Sequence, residues 1–407
     1  MLPNNQKIPE GWSVKKVKDL GRVVTGSTPS MSCPENYGGT FCWATAHDFS
    51  SKYISDTVIK LSEKGKNCSR ILPSGSVLIT CIASLGLNAI SKVEMATNQQ
   101  INAIIPNKEN NGEFIYYQIS YNTNQLKRFA GAGGMMILTK GEFEKVPFIF
   151  PPLPEQEKIA GILGTWDEAI EKLSNLIEQK KLLKKGLMQK LLTGKTRLSG
   201  FTQPWKEVKL GEIGTTYTGL SGKNKDNFGR GSYFIPYMNI YQNNHINPQQ
   251  LEQVEVDEGE KQNTVKYGDI FFTTSSETPE EVGFASVLLF KPERNIYLNS
   301  FCFGYRLNNF KSLLPEYASF LFRSIHARKI MYKLAQGATR FNLSKNELMK
   351  EKIYIPSDIS EQQAIADVLS TADDEINLLN QKLEALKEQK KGLMQQLLTG
   401  QIRVKVN

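Results

Sequence analysis

Clustered His, Cys or carboxylate side chains are the usual mark of chemistry, and in this chain they do not gather. His47, His245 and His326 stand alone without metal-ligand spacing, as ordinary polar or core histidines do. The five cysteines, at 33, 42, 68, 81 and 302, form no Cys-x-x-Cys pair. They read as buried free thiols and not as a zinc or disulfide framework. No Gly-x-x-x-x-Gly-Lys-Ser/Thr loop offers a phosphate cradle, and Gly131-Ala-Gly-Gly134 reads as a close-packed turn. An Asn-Pro-Pro-aromatic segment, which grips a base during amino methylation, is absent, as is a glycine-rich loop for a methyl donor. Pro151-Pro152 is punctuation between strand and helix. The pairs Glu178/Lys180 and Glu388/Lys390 fall inside helical patterns, as solvated or seam-edge charges and not as nuclease sites. The sequence presents no catalytic or metal constellation.

What it does present is polar, basic and aromatic loop chemistry in two regions. In the first, the candidates are Thr25, Ser27, Thr28, Trp43, His47, Asp48, Ser84, Asn88 and Lys140. In the second they are Ser221, Lys223, Lys225, Arg230, Asn239, Ser275, Ser276, Arg340, Asn342 and Lys345. Arg, Asn and Ser/Thr side chains hydrogen-bond base edges in a groove, while Lys and backbone amides position phosphates. Any single loop is equally a solvated surface turn; what gives these residues a common role is the set of elements that carries all of them.

Those elements come in two copies. Residues 155–197 recur without a gap at 361–403, and the closing nonamers Gly186–Gly194 and Gly392–Gly400 differ at one position only. Each copy carries an apolar stripe stepping alternately by four and three residues. The first is Ile159, Leu163, Trp166, Ile170, Leu173, Ile177, Lys180, Lys184, Leu187 and Leu191. The second is Ile365, Leu369, Ala372, Ile376, Leu379, Leu383, Leu386, Lys390, Leu393 and Leu397. A strict alternation sustained over several heptads is a coiled-coil seam. Ser360 with Gln363 predicts a capping box, and Gly194 and Gly400 stand where left-handed caps end helices. Each helix of about 40 residues would be roughly 60 Å long. A blunt antiparallel register sets Lys390 against Trp166 and Lys184 against Ala372, with a cation–π contact in the first pair. Gly186 and Gly392, unfavourable inside helices, predict a close backbone approach.

The duplication extends further. Trp12 precedes Val17-Lys-Asp-Leu-Gly21 as Trp205 precedes Leu210-Gly-Glu-Ile-Gly214. Between these anchors lie short β-type runs such as Val77–Ile82, Ile101–Ile105, Tyr233–Tyr237, Asp269–Thr274 and Ser286–Phe290, rich in turn residues. One helix is expected before each exit, over Glu113–Thr123 and Leu314–Lys333. The fold class is therefore α+β: two globular, mostly-β domains joined by two long antiparallel coiled-coil helices in a pseudo-twofold tandem repeat. In chain order the segments are 1–152, 153–196, 197–358 and 359–407. Pseudo-symmetry places Trp12 beside the end of the second helix. Composition is that of a soluble protein, 40% hydrophobic and 22% charged with a formal charge of +9, and no run approaches a membrane span. A cytoplasmic protein without a membrane partner is expected.

The whole pattern resembles the specificity subunit of type I restriction–modification systems. The resemblance is carried by the (Pro/Ser)-Glu-Gln starts at 154–156 and 360–362, the Leu-Met-Gln-x-Leu-Leu-Thr-Gly ends, and the two tryptophan strands. Trp43-Ala-Thr-Ala-His-Asp48, Ala83-Ser-Leu-Gly86 and Thr97-Asn-Gln99 add to it in the first domain. Tyr237-Met-Asn-Ile240, Glu277–Gly283 and Leu298–Phe301 do so in the second. The resemblance implies a non-catalytic subunit whose two target-recognition domains each read one half of a bipartite, asymmetric double-stranded DNA site. The helix pair would set the gap, roughly 17 base pairs for its full length. It also implies two methyltransferase subunits and two restriction/motor subunits as partners. S-adenosylmethionine, ATP and Mg would belong to those partners, with no cofactor or metal here. A symmetric scaffold bearing two ligand-binding β domains is the main alternative reading of the residues. A fused methyltransferase or nuclease is a poorer one.

Overall fold

A computed structural model describes residues 8–130 and 136–406. The chain divides into two compact units that do not follow chain order. One combines Met1–Ser174 with Gln381–Asn407, and the other is Asn175–Asn380. Each unit thus holds one globular region and half of each long helix, so the four chain-order segments are not the compact bodies.

In the first unit a five-stranded sheet runs in the order Gly21–Thr25, Ile101–Pro106, Val77–Thr80, Asn88–Ser91, Tyr53–Ile54. Its pairings are antiparallel except the last. The expected runs Val77–Ile82 and Ile101–Ile105 are strands with ends shifted by one or two residues. A small sheet of Lys60–Leu61, Tyr37–Ala44 and Ala96–Thr97 packs around Trp43. The strands Ser13–Lys16 and Pro147–Phe150 pair antiparallel where the chain passes to the helices. The helix Gly112–Tyr121, capped by Asn111 Oδ1, buries Phe114, Ile115 and Tyr117.

The second unit repeats the plan. Gly214–Thr218, Cys302–Leu307, Ile270–Thr273 and Ala285–Val287 form an antiparallel sheet. Trp205–Lys209 pairs with Lys352–Pro356. The single helix expected over Leu314–Lys333 is two, Pro315–Leu321 and Ile325–Leu334, because Ser324 Oγ caps a new start by accepting from Ala327 N. The run at Tyr233–Tyr237 also splits, since the strand Phe228–Ile235 ends before Pro236 and Tyr237 opens a short helix.

The long helices span Leu153–Leu191 and Ile359–Leu398. All seventeen apolar stripe residues are buried or half-buried, whereas off-stripe Leu182, Leu183 and Leu378 are 68%, 57% and 66% exposed. Within each unit the helix halves run antiparallel. In the first, Lys390 pairs with Asp167. In the second, Lys184 pairs with Asp373, and Lys180 Nζ lies 2.6 Å from Glu375 Oε1. The register is the expected one, but the cation–π partner is not. Lys390 Nζ lies 5.4 Å from the Tyr117 ring centre and Lys184 Nζ 5.6 Å from that of Phe320. An aspartate next to the stripe position captures the ammonium, since a charge-assisted hydrogen bond outweighs an aromatic face.

Helix ends bring two more findings. The second long helix begins before Ser360, and Asp358 Oδ1 accepts from Ser360 N at 2.8 Å, while Gln363 turns to Asp367. The cap is therefore an aspartate and not the Ser360/Gln363 box. Gly194 and Gly400 do take left-handed φ values of 69° and 70°. A Cβ at Gly194 would press the Trp205 ring and one at Gly400 would strike Pro9 and approach Trp12. Gly186 and Gly392 have nothing within 4 Å of a hypothetical Cβ, so the expected close approach is absent from the chain itself. Among the described residues no helix is long and apolar enough to cross a membrane. Cys42, Cys81 and Cys302 are buried, but Cys68 is exposed and Cys33 half-buried, so burial does not extend to all five.

Candidate nucleic-acid interface

Each unit is anchored by a buried glutamate–glutamine pair that opens a long helix. Glu155 is 3% exposed and Glu361 fully buried. Glu155 accepts from Trp12 Nε1 at 3.1 Å and from Arg403 Nε and Nη2 at 2.7 and 2.8 Å. Glu361 accepts from Trp205 Nε1 at 3.3 Å and from Arg197 Nε and Nη2 at 2.9 and 2.6 Å. Bidentate arginine together with an indole donor satisfies a carboxylate that could not otherwise be desolvated. Gln156 and Gln362 are fully buried. They accept from Asn111 N and Leu314 N, both at 2.9 Å, fixing the helix starts of the globular regions. The sequence repeat flags these residues by recurrence, but nothing in their type showed that they are joints.

From this anchored base the strands run to a loop junction built alike in both units. Thr25 and Thr80 end strands where Ile101 begins one, and Thr218 and Thr273 do so where Cys302 begins one. In the first unit Cys81 N donates to Gln100 O, Leu138 N to Cys81 O and Ser27 N to Thr97 O, at 2.8, 2.9 and 2.8 Å. In the second, Thr274 N donates to Phe301 O, Leu343 N to Thr274 O and Leu220 N to Leu298 O, at 2.9, 2.8 and 2.8 Å. The leading loop, the mid-sheet loop and the exit segment therefore meet at one end of each sheet.

Most sequence candidates lie on or beside these junctions, with differing freedom. Thr25 Oγ1 donates to Asn102, Thr28 to Gln99, and Ser27 Oγ accepts from Arg70 N. Arg70, whose guanidinium donates to Thr25 O at 2.8 Å, is a basic residue the sequence reading passed over. Ser84, His47 and Lys140 are exposed. Ser276 Oγ donates to Glu281, and Ser275 pairs in sheet register with Asn342. Arg340 and Asn342 are exposed, and Lys345 is half-buried in the first turn of the helix Lys345–Leu348. Ser221 and Lys225 are exposed, and Arg230, also exposed, holds Glu255 at 3.0 Å. Gly131–Gly134 lies outside the described residues.

Five candidates are committed elsewhere, which corrects their expected place at a ligand surface. Trp43 is 5% exposed, its Nε1 spent on Ser27 O at 3.1 Å, so it supports the loop from beneath. Asn239 is 1% exposed and its amide holds Asn247 O at 2.9 Å while accepting from Asn247 N at 3.0 Å. Asp48 accepts from Thr45 N at 2.7 Å and Val58 N at 2.9 Å, closing a turn. Asn88 donates to Tyr116 O at 2.7 Å and accepts from Ser120, tying sheet to helix. Lys223, with a side chain 7% exposed, is held by Glu260 at 2.5 Å, and that bond holds the Glu260 carboxyl down at about 2. Asn239, Asp48 and Asn88 are short polar side chains claimed by nearby backbone groups, Trp43 spends its indole on a backbone carbonyl and Lys223 is claimed by a carboxylate, none of which composition alone reveals.

Two arginines the sequence reading did not single out shape the second junction. Arg323 donates to Ala285 O, Ile240 O and Asn243 O at 2.6, 2.6 and 2.7 Å. Arg328 donates to Gly283 O, Glu280 O and Val282 O at 2.8, 2.6 and 2.6 Å. Both pack on the Phe284 ring. Burial, with Arg328 adding to it, lowers Arg323 to about 10. Among the described residues only backbone carbonyls accept from these guanidiniums, so they fix the loop over 279–285 and keep their own positive charge. Arg328 also lines a shallow cleft of about 510 Å³ with Lys329, Tyr332 and Lys333.

Two copies of one module, each ending in a polar loop junction and standing on halves of the same helix pair, define a tandem-repeat binding protein. The chain belongs to the family of type I restriction–modification specificity subunits. The family model described as "Type I restriction modification DNA specificity domain" matches residues 9–179 and again 202–388. The chain is 24% identical to the MjaVIII specificity subunit of Methanocaldococcus jannaschii over 98% of its own length and 95% of the relative's. It is 38% identical to the MjaIX specificity subunit of that organism, over 44% of this chain and 42% of the relative. With the HindI specificity subunit of Haemophilus influenzae it shares 33% identity over 46% of this chain and 42% of that one. The chain thus spans less than half of those two relatives. Its fold is similar to the type I S subunit from M. genitalium, with a TM-score of 0.58 at 14% identity, covering 98% of both chains. A structure from work on assembly and conformational transition of a type I system is similar at a TM-score of 0.60 and 17% identity, covering 97% of this chain and all of that one.

Proposed function

We propose that the chain is the DNA-reading subunit of a type I restriction–modification complex, in which each loop junction reads one half of a bipartite double-stranded site. The helix pair sets the unspecified gap between the halves. The single observation that carries this reading is the duplicated junction, where three loops rich in hydroxyl, amide and cationic groups converge at the end of a sheet. The two junctions share Thr25/Thr218, Thr80/Thr273 and Lys140/Lys345, but the variable regions around them share little sequence, so the half-sites differ. Methylation and cleavage fall to two methyltransferase and two restriction/motor subunits, which bring S-adenosylmethionine, ATP and Mg. The methyltransferases dock on the helix faces that carry exposed Leu182, Leu183 and Leu378. A salt titration of binding to double-stranded DNA tests the reading. Binding falls steeply with salt, and Lys225→Ala, at an exposed site without an ion-pair partner among the described residues, lowers the slope by about one. Salt-independent binding would favour a scaffold for other ligands.

A further inference from the structure

At the second junction two opposite charges, Glu277 and Arg340, line the same cleft. Ser275 pairs with Asn342 and Ser276 with Phe341 in antiparallel register; Glu277 directly follows the first strand and Arg340 directly precedes the second. Both are exposed, and among the described residues no hydrogen bond or ion pair joins them or engages either charged group. The nearby charges behave otherwise: Lys223 holds Glu260, Arg230 holds Glu255, and Glu281 accepts from Tyr241 at 2.8 Å. Glu277 and Arg340 line a cleft of about 310 Å³ with Tyr237, Ser275, Ser276 and Phe301. Tyr237 is fixed by donating to Ser275 O at 3.1 Å, and Phe301 is 59% exposed.

Resting on the DNA-reading function above, we propose that this cleft reads one G·C base pair in the half-site of the second unit, with Arg340 on guanine and Glu277 on cytosine. An arginine fork matches the guanine O6 and N7 acceptors, and a carboxylate accepts from the cytosine N4 amino group. A carboxylate facing DNA is repelled by phosphates, so its uncommitted place here calls for an amino group as partner. Phe301 forms the apolar wall, suited to a pyrimidine 5-position on the neighbouring pair.

The test is methylated-motif mapping with the full chain assembled with its methyltransferase subunits. The wild-type motif contains a G·C pair in the second unit's half-site. Arg340→Ala and Glu277→Ala each relax that same position, by about 5- to 150-fold in preference, and leave the other half intact. Arg340→Lys restores the position only in part, because an ammonium keeps the charge but loses the fork; an Arg340→Ala variant that weakens binding equally on all sequences would mark a phosphate contact and overturn the proposal. Unchanged motifs, relaxation at two different positions, or a half-site without G·C would also overturn it while the DNA-reading function stands. A wild-type complex without sequence preference would instead remove that function itself.

Discussion

Arg403 grips Glu155 across 248 residues of chain, its Nε and Nη2 lying 2.7 and 2.8 Å from the two carboxylate oxygens. The same arginine donates to Glu10 O at 2.7 Å and lies 5.7 Å from the Trp12 ring centre. The segment at Glu10–Trp12 and the segment at Arg403 are therefore held in one joint. Arg197, Glu361 and Trp205 make the equivalent joint, with Arg197 and Trp205 close in sequence and Glu361 lying 164 and 156 residues further on. Trp12 stands beside the end of the second helix, as pseudo-symmetry requires.

A permutant that links residue 406 to residue 8 and opens near Ser199 should fold and bind DNA with unchanged specificity. The check is a binding assay on two half-site sequences beside a thermal melt. Loss of the fold would show that the 197–205 connection does more than its terminal counterpart.

Stripe and off-stripe leucines should differ sharply. Leu369, fully buried, should cost about 2–5 kcal/mol as Leu369→Ala, whereas Leu378→Ala at an exposed site should stay within about 0.5 kcal/mol. Chemical denaturation measures both, and equal effects would contradict the seam.

Gly186 and Gly392 face open space in the chain. Gly186→Ala should raise the stability of the isolated chain by roughly 1 kcal/mol. It should also weaken assembly with the methyltransferase, because Gly186 lies one helical turn from Leu182 and Leu183, which carry the proposed docking face. Titrating assembly against stability separates the two effects; a stabilised variant that assembles normally would remove the glycines from the docking face.

The Lys223–Glu260 bond predicts a pH signature for the loop after Gly219. Its hydrogen bond from Lys223 holds the folded Glu260 carboxyl at about 2, below its ordinary 4.5. A depressed carboxyl contributes stability that is complete above the ordinary value and is lost as pH falls toward the folded value. The stability difference between the native chain and Glu260→Gln should thus be constant from pH 7 to about 5 and shrink between about 4.5 and 2. A difference that persists unchanged at pH 3 would show that the bond does not set this loop's stability.

Much of the architecture was legible because repetition and period are properties of the string itself. The two helices, their antiparallel register and the glycine caps all follow from spacing. Compact units that take half of each helix follow from packing, which no local pattern records. Trp43 and Asn239 have the types expected at a groove-reading surface, yet backbone partners sixteen and eight residues away had already claimed them. Arg323 and Arg328 were passed over for the opposite reason: isolated arginines in a helical stretch look solvated until the carbonyls around them are placed. Asp358 displaced Ser360 as the cap because an acid two residues earlier reaches the free amide first.

The most direct test of the account is a swap of residues 215–345 for the corresponding segment of another specificity subunit, followed by methylated-motif mapping of the assembled complex. The account predicts that one half-site changes to that of the donor, while the other half remains as it was. A swap that altered both halves, or neither, would contradict it.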